Sequence, residues 1–390
     1  MNTNEIINLY DEHVMHTYGR QPIVLDHGHA QFVYDTDGNK YLDFFAGIAV
    51  NNVGQTNDKV VKAIKEQAEK MIHCSNIYFN EPAALLSKKL ADLSGLDKIF
   101  FSNSGAEANE AAIKLARKFT GKGDIIATYK SFHGRTMLTV TATGQDEYKL
   151  PFKPLPPGFK HVNYGDIDAM KEAIDNNTAA VLIEIVQGEG GINVASKTYF
   201  KELEALCKDK NVLLIIDEVQ TGLGRCGKMF AFQNYNIKPD IITVAKGLGG
   251  GVPIGGTLAT NEVAKGFVHG NHGSTFGGNP LSCAAGNAAV DAILDQKLVE
   301  NSEKMGEYLK NKFLELKSKY DFIEDVRGLG LLVGIELNMP GGEIVDAMRE
   351  KGVLINCTAG NVLRFAPPLL ISKEDIDEMI LILNEVFSKI

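Results

Sequence analysis

This chain of 390 residues lacks the features that mark several common protein classes. No apolar stretch approaches the roughly 20 residues of a membrane span, and the first residues lack the basic-then-apolar order of a signal peptide. The formal net charge of -9 is the opposite of the basic excess that general nucleic-acid binding needs. These absences predict a cytoplasmic protein with neither nucleic acid nor a membrane as a partner.

Cysteine and histidine occur without the spacing of a disulfide framework or a metal site. The five cysteines are an odd number, lie far apart and include no C-x-x-C, which predicts free thiols in a reducing compartment. The nine histidines include no H-E-x-x-H motif. His269 and His272 lie in a glycine- and asparagine-rich segment with no cysteine or carboxylate set nearby. We therefore expect no metal site.

Two glycine-rich segments imitate nucleotide-binding loops. Gly222–Gly227 is a literal G-x-G-x-x-G, but no acidic residue follows about twenty positions later, and Met229–Gln233 is a poor start for a phosphate-facing helix. The second segment is the glycine-rich run 247–251, and Val252 stands where the motif requires its third glycine. The interpretation of the chain as a nucleotide-dependent dehydrogenase has no support beyond these two patterns, so we reject it.

Strand-like and helix-like segments alternate through the middle of the chain. The apolar runs are Lys98–Ser102, Asp124–Thr128, Ala179–Ile185, Val212–Ile216 and Ile241–Ala245. Amphipathic segments such as Ala106–Phe119 and Lys197–Lys210 lie between them. The alternation predicts an α/β fold with a mostly parallel central sheet, helices on both faces, and a ligand beyond the carboxyl ends of the strands.

The two ends of the chain have a different pattern. Phe32–Leu42 reads as a β-hairpin around an Asp-Gly turn, and the C-terminal part mixes helices with short strands such as Leu331–Leu337. We expect residues 1–48 and 296–390 to pack together as a smaller α+β domain. Residues 49–295 would then form the large domain.

A lysine and an aspartate end two of the predicted strands. Lys246 follows Ile241–Ala245 and opens onto a glycine run, and Asp217 follows Val212–Ile216. Pyridoxal phosphate needs this pair, an amine for covalent attachment and a carboxylate for its pyridine nitrogen. The alternatives are a solvated surface lysine and an aspartate that caps a helix or turn.

A candidate phosphate site precedes the first long helix of the large domain. Free backbone N–H groups at Gly105 and Ala106, together with the helix dipole, favour an anion there. A plain capping box formed by Ser104 and Glu107 explains the same residues, and the two interpretations are compatible.

Further candidates stand in apolar or glycine-rich surroundings. Phe132 could stack on a flat cofactor ring, and Arg135 could bind a carboxylate through two hydrogen bonds. Gln220 could donate to a ring oxygen. Glu189 and Arg364 are charges in settings that otherwise lack them, although each could be an unrelated surface charge.

Taken in order, these segments resemble the motifs of the class III (ornithine-type) pyridoxal-phosphate aminotransferases. The resemblance spans nearly the whole chain and rests on residues 104–110, 132–136, 217–222, 245–255 and 273–280. One departure is Asn52–Asn57, where many relatives have Leu-Gly-His followed by proline. Another is Cys226, which stands where threonine is common.

The resemblance implies fold type I, bound pyridoxal 5'-phosphate, and a homodimer with shared active sites. It assigns Lys246 to covalent attachment of the cofactor and to proton transfer, Asp217 to the pyridine nitrogen, and Phe132 to the ring face. The remaining cofactor contacts that it implies are Ser104, Gly105, Ala106, Glu218, Val219, Gln220 and, from the other subunit, Thr275.

The resemblance also implies a substrate set. Arg135 would bind the α-carboxylate, Ser274 would lie near the substrate, and Glu189 would mask Arg364 until a keto acid with a second carboxylate arrives. The expected reaction is a ping-pong transamination from N-acetylornithine to 2-oxoglutarate. Alternative donors are ornithine, succinylornithine, succinyl-diaminopimelate and 4-aminobutyrate, and a noncatalytic protein that retains the fold is the alternative from another class.

Overall fold

A computed structural model describes residues 1–390. The strands of the first half are β1 (Leu25–His29), β2 (Phe32–Asp35), β3 (Lys40–Asp43), β4 (Lys98–Ser102), β5 (Asp124–Thr128), β6 (Phe159–Val162), β7 (Thr178–Glu184), β8 (Val186–Gln187) and β9 (Asn193–Val194). Those of the second half are β10 (Leu213–Asp217), β11 (Ile241–Val244), β12 (Gly255–Ala259), β13 (Ile323–Leu329), β14 (Leu332–Leu337), β15 (Val353–Leu354), β16 (Asn356–Thr358) and β17 (Val362–Phe365).

Helices fill most of the remaining chain. They are α1 (Thr3–His13), α2 (Ala46–Ala49), α3 (Asp58–Lys70), α4 (Glu81–Ser94), α5 (Gly105–Thr120), α6 (Met137–Ala142), α7 (Asp146–Lys149), α8 (Ile167–Ala173), α9 (Lys197–Lys210), α10 (Asn261–Ala264), α11 (Pro280–Asp295), α12 (Leu298–Lys317), α13 (Gly342–Glu350) and α14 (Lys373–Phe387). Three short 3₁₀ segments are Leu150–Phe152, Ala231–Tyr235 and Lys246–Gly249. None of the helices combines the length and the apolar composition that crossing a bilayer requires.

A seven-stranded sheet forms the centre of the molecule. Its order is β4-β12-β11-β10-β7-β5-β6, in which β12 runs antiparallel to both neighbours and the other pairs are parallel. Every residue of β7, β10 and β11 is buried, as expected for strands that are covered on both faces. The predicted α/β class with a mostly parallel sheet is confirmed.

The register of the central strands places polar side chains side by side at their carboxyl ends. Asp217, the last residue of β10, is aligned with Glu184 on β7 and with Thr243 on β11. Lys246 comes two residues after the end of β11. These groups therefore meet at the edge where ligands of parallel sheets bind.

The two ends of the chain share a sheet. The predicted hairpin is confirmed as β2 and β3, which pair antiparallel, and β15 from the C-terminal part adds to β3 in parallel. Strands β13, β14, β17 and β16 form a second four-stranded sheet. The domain boundaries at residues 48 and 295 remain a prediction.

The G-x-G-x-x-G segment is a packing element. Arg225 within it is fully buried and donates to the carbonyl oxygens of Leu331 and Pro367 and, at 2.7 Å, to Oδ1 of Asn52. The loop is thereby tied to the C-terminal part of the chain and to the Asn52–Asn57 segment, and its buried position differs from that of an open phosphate loop.

The turn α2 has an unusual backbone. Its residues Ala46, Gly47, Ile48 and Ala49 have φ between 48° and 65°, in the left-handed region that side chains with a Cβ rarely adopt. Asp43 supports the turn, because its Oδ1 accepts the N–H of Ala46 at 2.7 Å. The strained turn leads directly into Val50, which lines the cavity described below.

Candidate active site

A cavity of about 450 Å³ lies at the carboxyl ends of the central strands, and its size is typical of a small-molecule site. Many predicted residues line it. They are Ser104, Gly105, Ala106, Phe132, Arg135, Glu189, Asp217, Val219, Gln220 and Lys246.

Lys246 lies in surroundings that favour a free amine. Burial lowers the pKa of the Lys246 amine below its ordinary value, and the guanidinium of Arg364 acts in the same direction. The carboxylates of Glu189 and Asp217 oppose this shift without cancelling it. The backbone φ of Lys246 is 44°, a strained value that is found at functional sites.

Asp217 is held by three hydrogen bonds. Its Oδ2 accepts from Nδ2 of Asn109 and is 2.8 Å from Nδ1 of His133, while Oδ1 accepts the N–H of Val219 at 3.0 Å. The residue is only 3% exposed. A carboxylate this deeply buried needs donors around it, and its orientation is consequently well defined.

The start of α5 has the form of an anion site. Ser104 is the N-cap, and its Oγ accepts the N–H of Glu107 at 3.2 Å. The N–H groups of Gly105 and Ala106, at the first two helical positions, have no intrahelical partner. The capping box is only half formed, because the Glu107 carboxylate accepts from the backbone and side chain of Asn103 instead of the N-cap.

Arg135 is exposed and stacks on an aromatic side chain. Its guanidinium carbon lies 3.8 Å from the ring centre of Tyr148 and 5.5 Å from that of Phe132. Stacking of this kind orients the planar guanidinium group without using its N–H donors. Those donors therefore remain available to a carboxylate.

Glu189 and Arg364 form an ion pair at the edge of the cavity. Nη1 of Arg364 lies 2.5 Å from Oε1 of Glu189, which also accepts from Nε2 of Gln220 at 3.2 Å. Burial by itself raises the pKa of Glu189, but the Arg364 and Lys246 cations outweigh it and hold that pKa below its usual range. Arg364 is additionally fixed by Oδ1 of Asn356 and the carbonyl of Gly188.

The remaining predicted residues lie outside the cavity. Glu218 was predicted to contact the cofactor, and that contact stays a prediction. Its carboxyl points into the core, where it accepts from Thr221 Oγ1 and the N–H of Phe232. Burial raises its pKa to about 7. Ser274 accepts the N–H of Gly277, and Thr275 is exposed on the same loop.

Three buried polar lining residues were given no role from the sequence. His133 and Asn109 contact Asp217 directly. The third is Glu184, which is 5% exposed and accepts the N–H of Phe132 at 3.0 Å. Burial, and then the charge of Asp217, raise the pKa of Glu184 well above its ordinary value. A lone carboxylate inside the apolar run 179–185 was the signal that could have identified it.

Comparison with known proteins identifies the family. The family model described as "Aminotransferase class-III" matches residues 14–387. The chain belongs to the class III aminotransferases. It is 54% identical to an acetylornithine aminotransferase of Methanocaldococcus jannaschii and 53% identical to one of Methanothermobacter thermautotrophicus, with 100% of each chain covered in both comparisons.

Solved structures of this family have the same fold. An ornithine aminotransferase of Toxoplasma gondii superposes with a TM-score of 0.97 at 33% identity, covering 100% of this chain and 96% of the other. The acetylornithine aminotransferase of Elizabethkingia anophelis gives 0.90 at 36% identity, covering 100% of both chains.

The cofactor of this class III aminotransferase is pyridoxal phosphate. The groups at the cavity fit it, because they combine a lysine whose burial favours the free amine, a buried carboxylate already oriented by three donors, and a helix N-terminus with two free N–H groups. Lys246 would hold the aldehyde end, Asp217 the ring nitrogen, and Gly105 and Ala106 the phosphate.

Proposed function

We propose that this class III aminotransferase transfers the terminal amino group of N2-acetyl-L-ornithine to 2-oxoglutarate, producing N-acetyl-L-glutamate 5-semialdehyde and L-glutamate. The similarity to acetylornithine aminotransferases over the full length of the chain supports this donor. The Glu189–Arg364 pair beside Lys246 is the structural observation that carries the proposal. The corresponding physiological setting is arginine biosynthesis in the cytoplasm.

Lys246 is the proposed acid and base of both half-reactions. Pyridoxal phosphate, when bound, supplies the aldehyde that accepts the amino group and a ring that accepts the electron pair released on loss of a proton. Because burial lowers the pKa of Lys246, more of its amine is unprotonated near neutral pH. Its Nζ can therefore take the proton from the donor carbon that bears the transferred amine, and return it in the reverse direction.

Arg135 is the proposed anchor for the group that both substrates share. The α-carboxylate of N-acetylornithine and the C5 carboxylate of 2-oxoglutarate both lie at the end of the substrate away from the reacting carbon, and the stacked guanidinium of Arg135 keeps its donors free for either. Ser274 lies on the same loop as Thr275 and is proposed to lie near the bound substrate.

The Glu189–Arg364 pair is proposed to let one pocket accept two unlike substrates. When the pair is closed, it presents little net charge to the uncharged methylene chain next to the reacting amine of the donor. The α-carboxylate of 2-oxoglutarate, which is bonded to the reacting carbon, can displace Glu189, whose side chain is 24% exposed, whereas Arg364 is only 2% exposed and has further bonds to Asn356 and Gly188. Glu189 is accordingly the partner that moves.

We further propose that the protein is a homodimer in which Thr275 reaches the partner's cofactor. The loop that carries Thr275 contacts a second segment, residues 72–79. Nδ2 of Asn76 in that segment donates to the carbonyls of Ser274 and Gly277. Large apolar side chains lie exposed on these two segments, namely Ile72, Ile77, Tyr78, Phe79 and Phe276. An exposed apolar patch of this kind is typical of an interface.

The donor is tested by measuring glutamate formation from 2-oxoglutarate with N-acetylornithine, succinylornithine, ornithine, succinyl-diaminopimelate and 4-aminobutyrate. The proposal predicts the highest kcat/KM for N-acetylornithine. Ornithine is the second candidate, because ornithine aminotransferases share this fold closely. A higher kcat/KM with ornithine would replace the proposed donor while retaining the reaction class.

The assembly is tested by light scattering on the purified protein. A dimer mass is expected for the unchanged chain, and Phe79→Glu should shift it toward the monomer and weaken cofactor retention. A monomer mass for the unchanged chain would contradict the shared-site proposal.

A further inference from the structure

Asn109, on the second turn of α5, is a buried amide with all of its main hydrogen bonds made. It is 1% exposed. Its Nδ2 donates to Oδ2 of Asp217 and to the backbone oxygen of His133, both at 2.8 Å. Its Oδ1 accepts from Oγ1 of Thr243 at 2.8 Å. Because the carboxylate and the carbonyl can only accept, the orientation of the amide is determined and Thr243 must be the donor.

This amide connects the elements that carry the chemistry of the site. Asp217 ends β10, Thr243 lies on β11 three residues before Lys246, and His133 follows Phe132. The helix that bears Asn109 also supplies the proposed phosphate site at Gly105. A single side chain therefore links both ends of the proposed cofactor site.

The contacts of Asn109 leave the two carboxylate oxygens of Asp217 unequal. Oδ2 has two neighbouring nitrogens, Nδ2 of Asn109 and Nδ1 of His133, whereas Oδ1 accepts only the N–H of Val219. A carboxylate oxygen accepts about two hydrogen bonds, so Oδ2 is filled and Oδ1 keeps capacity for one more.

An amide is suitable at position 109 because it carries no charge. The titratable groups around Asp217 are His133, Glu184, Glu218 and Lys246, which come from four different segments. A further cation at position 109 would compete with a protonated ring nitrogen for the Asp217 charge, and a further anion would repel Asp217. An amide donates a hydrogen bond without either effect.

We propose that Asn109 is a positioning residue that holds Asp217 with Oδ1 turned toward the ring nitrogen of the cofactor. The inference rests on the proposed function, in which Asp217 is the partner of that nitrogen. It predicts that Asn109 influences the electronic state of the bound cofactor in addition to the stability of the fold.

The test compares Asn109→Ala and Asn109→Asp with the unchanged protein, each loaded with pyridoxal phosphate. Alanine suits an Ala-rich helix and removes the donor, and aspartate keeps the shape but cannot donate when ionised. The primary readout is the pH midpoint of the visible cofactor band, followed by kcat and KM. Asn287→Ala is the matched control, because this helical amide also donates to two oxygen atoms, here both backbone carbonyls, but lies outside the cavity.

Loss of one hydrogen bond to an ion corresponds to about one pKa unit, so the midpoint should move by about one pH unit in Asn109→Ala and by at least as much in Asn109→Asp, whose carboxylate also repels Asp217. The expected direction is upward, since a ring nitrogen that holds its proton less firmly withdraws less charge from the lysine-linked nitrogen. We expect kcat to fall about tenfold with little change in KM, and the Asn287→Ala midpoint to stay at the unchanged value.

A midpoint and kcat equal to those of the unchanged protein in both Asn109 variants would overturn the inference. An equal shift in Asn287→Ala would overturn it too, because the effect would then be general destabilisation. Absence of a visible cofactor band in the unchanged protein would instead refute the proposed function on which the inference rests.

Discussion

Replacement of Arg364 by alanine separates the two half-reactions of the proposed mechanism. The substitution removes a guanidinium that is 2% exposed and contacts Glu189, Gly188 and Asn356. Glu189 keeps a donor after the change, because Nε2 of Gln220 lies 3.2 Å from its carboxylate and its side chain is partly exposed. The variant is therefore expected to fold.

The size of the effect follows from the hydrogen bonds that each substrate would lose. A hydrogen bond to a charged group contributes about 1.5 to 3 kcal/mol, so loss of a forked contact with the α-carboxylate of 2-oxoglutarate should cost about 3 kcal/mol. That cost is a factor of about 100 in kcat/KM for the keto-acid half-reaction. The donor half-reaction, in which Arg364 stays paired with Glu189, should change by no more than about fivefold, equivalent to about 1 kcal/mol.

Single-turnover stopped-flow measurements follow each half-reaction separately through the visible cofactor band. Arg364→Lys should lie between the unchanged protein and the alanine variant, because it keeps the charge and loses the fork. Arg349→Ala, a change on α13 outside the cavity, is the matched arginine control and should leave both half-reactions unchanged. Equal losses in the two half-reactions of Arg364→Ala would refute the switch.

Three further predictions concern single side chains. Lys246→Ala should retain pyridoxal phosphate noncovalently and lose turnover in a glutamate-formation assay, and normal turnover would remove Lys246 from its role. Arg135→Ala should raise KM for N-acetylornithine and for 2-oxoglutarate alike, since both carry a carboxylate at the end away from the reacting carbon, and an effect on one alone would contradict the assignment. Burial, assisted by the charge of Lys149, lowers the pKa of His161 from 6.5 to about 4. As pH falls, the imidazole of His161 is therefore protonated in the unfolded chain before it is protonated in the folded one. The free energy of unfolding consequently decreases as pH drops from about 6.5 toward about 4. His161→Gln should flatten the decline of Tm over that range, and an unchanged slope would contradict this cause.

Local sequence patterns predicted the framework of the sheet well. The helix predicted at Lys197–Lys210 has the same bounds in the structure, and β4 and β5 agree residue for residue with the predicted runs. These elements have strong periodicity and short-range causes such as the Ser196 cap, which accepts the N–H of Tyr199. The alternation of strands and helices also predicted the edge of the sheet at which Lys246 and Asp217 lie.

Contacts between distant segments could not be predicted in the same way. The Asn109–Asp217 bond joins residues that are 108 positions apart, and nothing in the Ala-rich helix indicates that its one asparagine faces Asp217. The direction of the Glu218 side chain was equally hidden in the sequence, because the chain turns after β10 and directs this carboxyl toward Thr221 and Phe232. Side-chain direction at such positions is set by the packed fold and is not visible in a local pattern.

The proposed reaction is tested most directly by the absorption spectrum of the cofactor-loaded protein, titrated separately with N-acetylornithine, ornithine and 4-aminobutyrate. We expect the band of the lysine-bound cofactor to disappear fastest with N-acetylornithine and to return when 2-oxoglutarate is added. A band that disappears faster with another amine would contradict the proposed donor, and a band that no amine alters would contradict the proposed reaction.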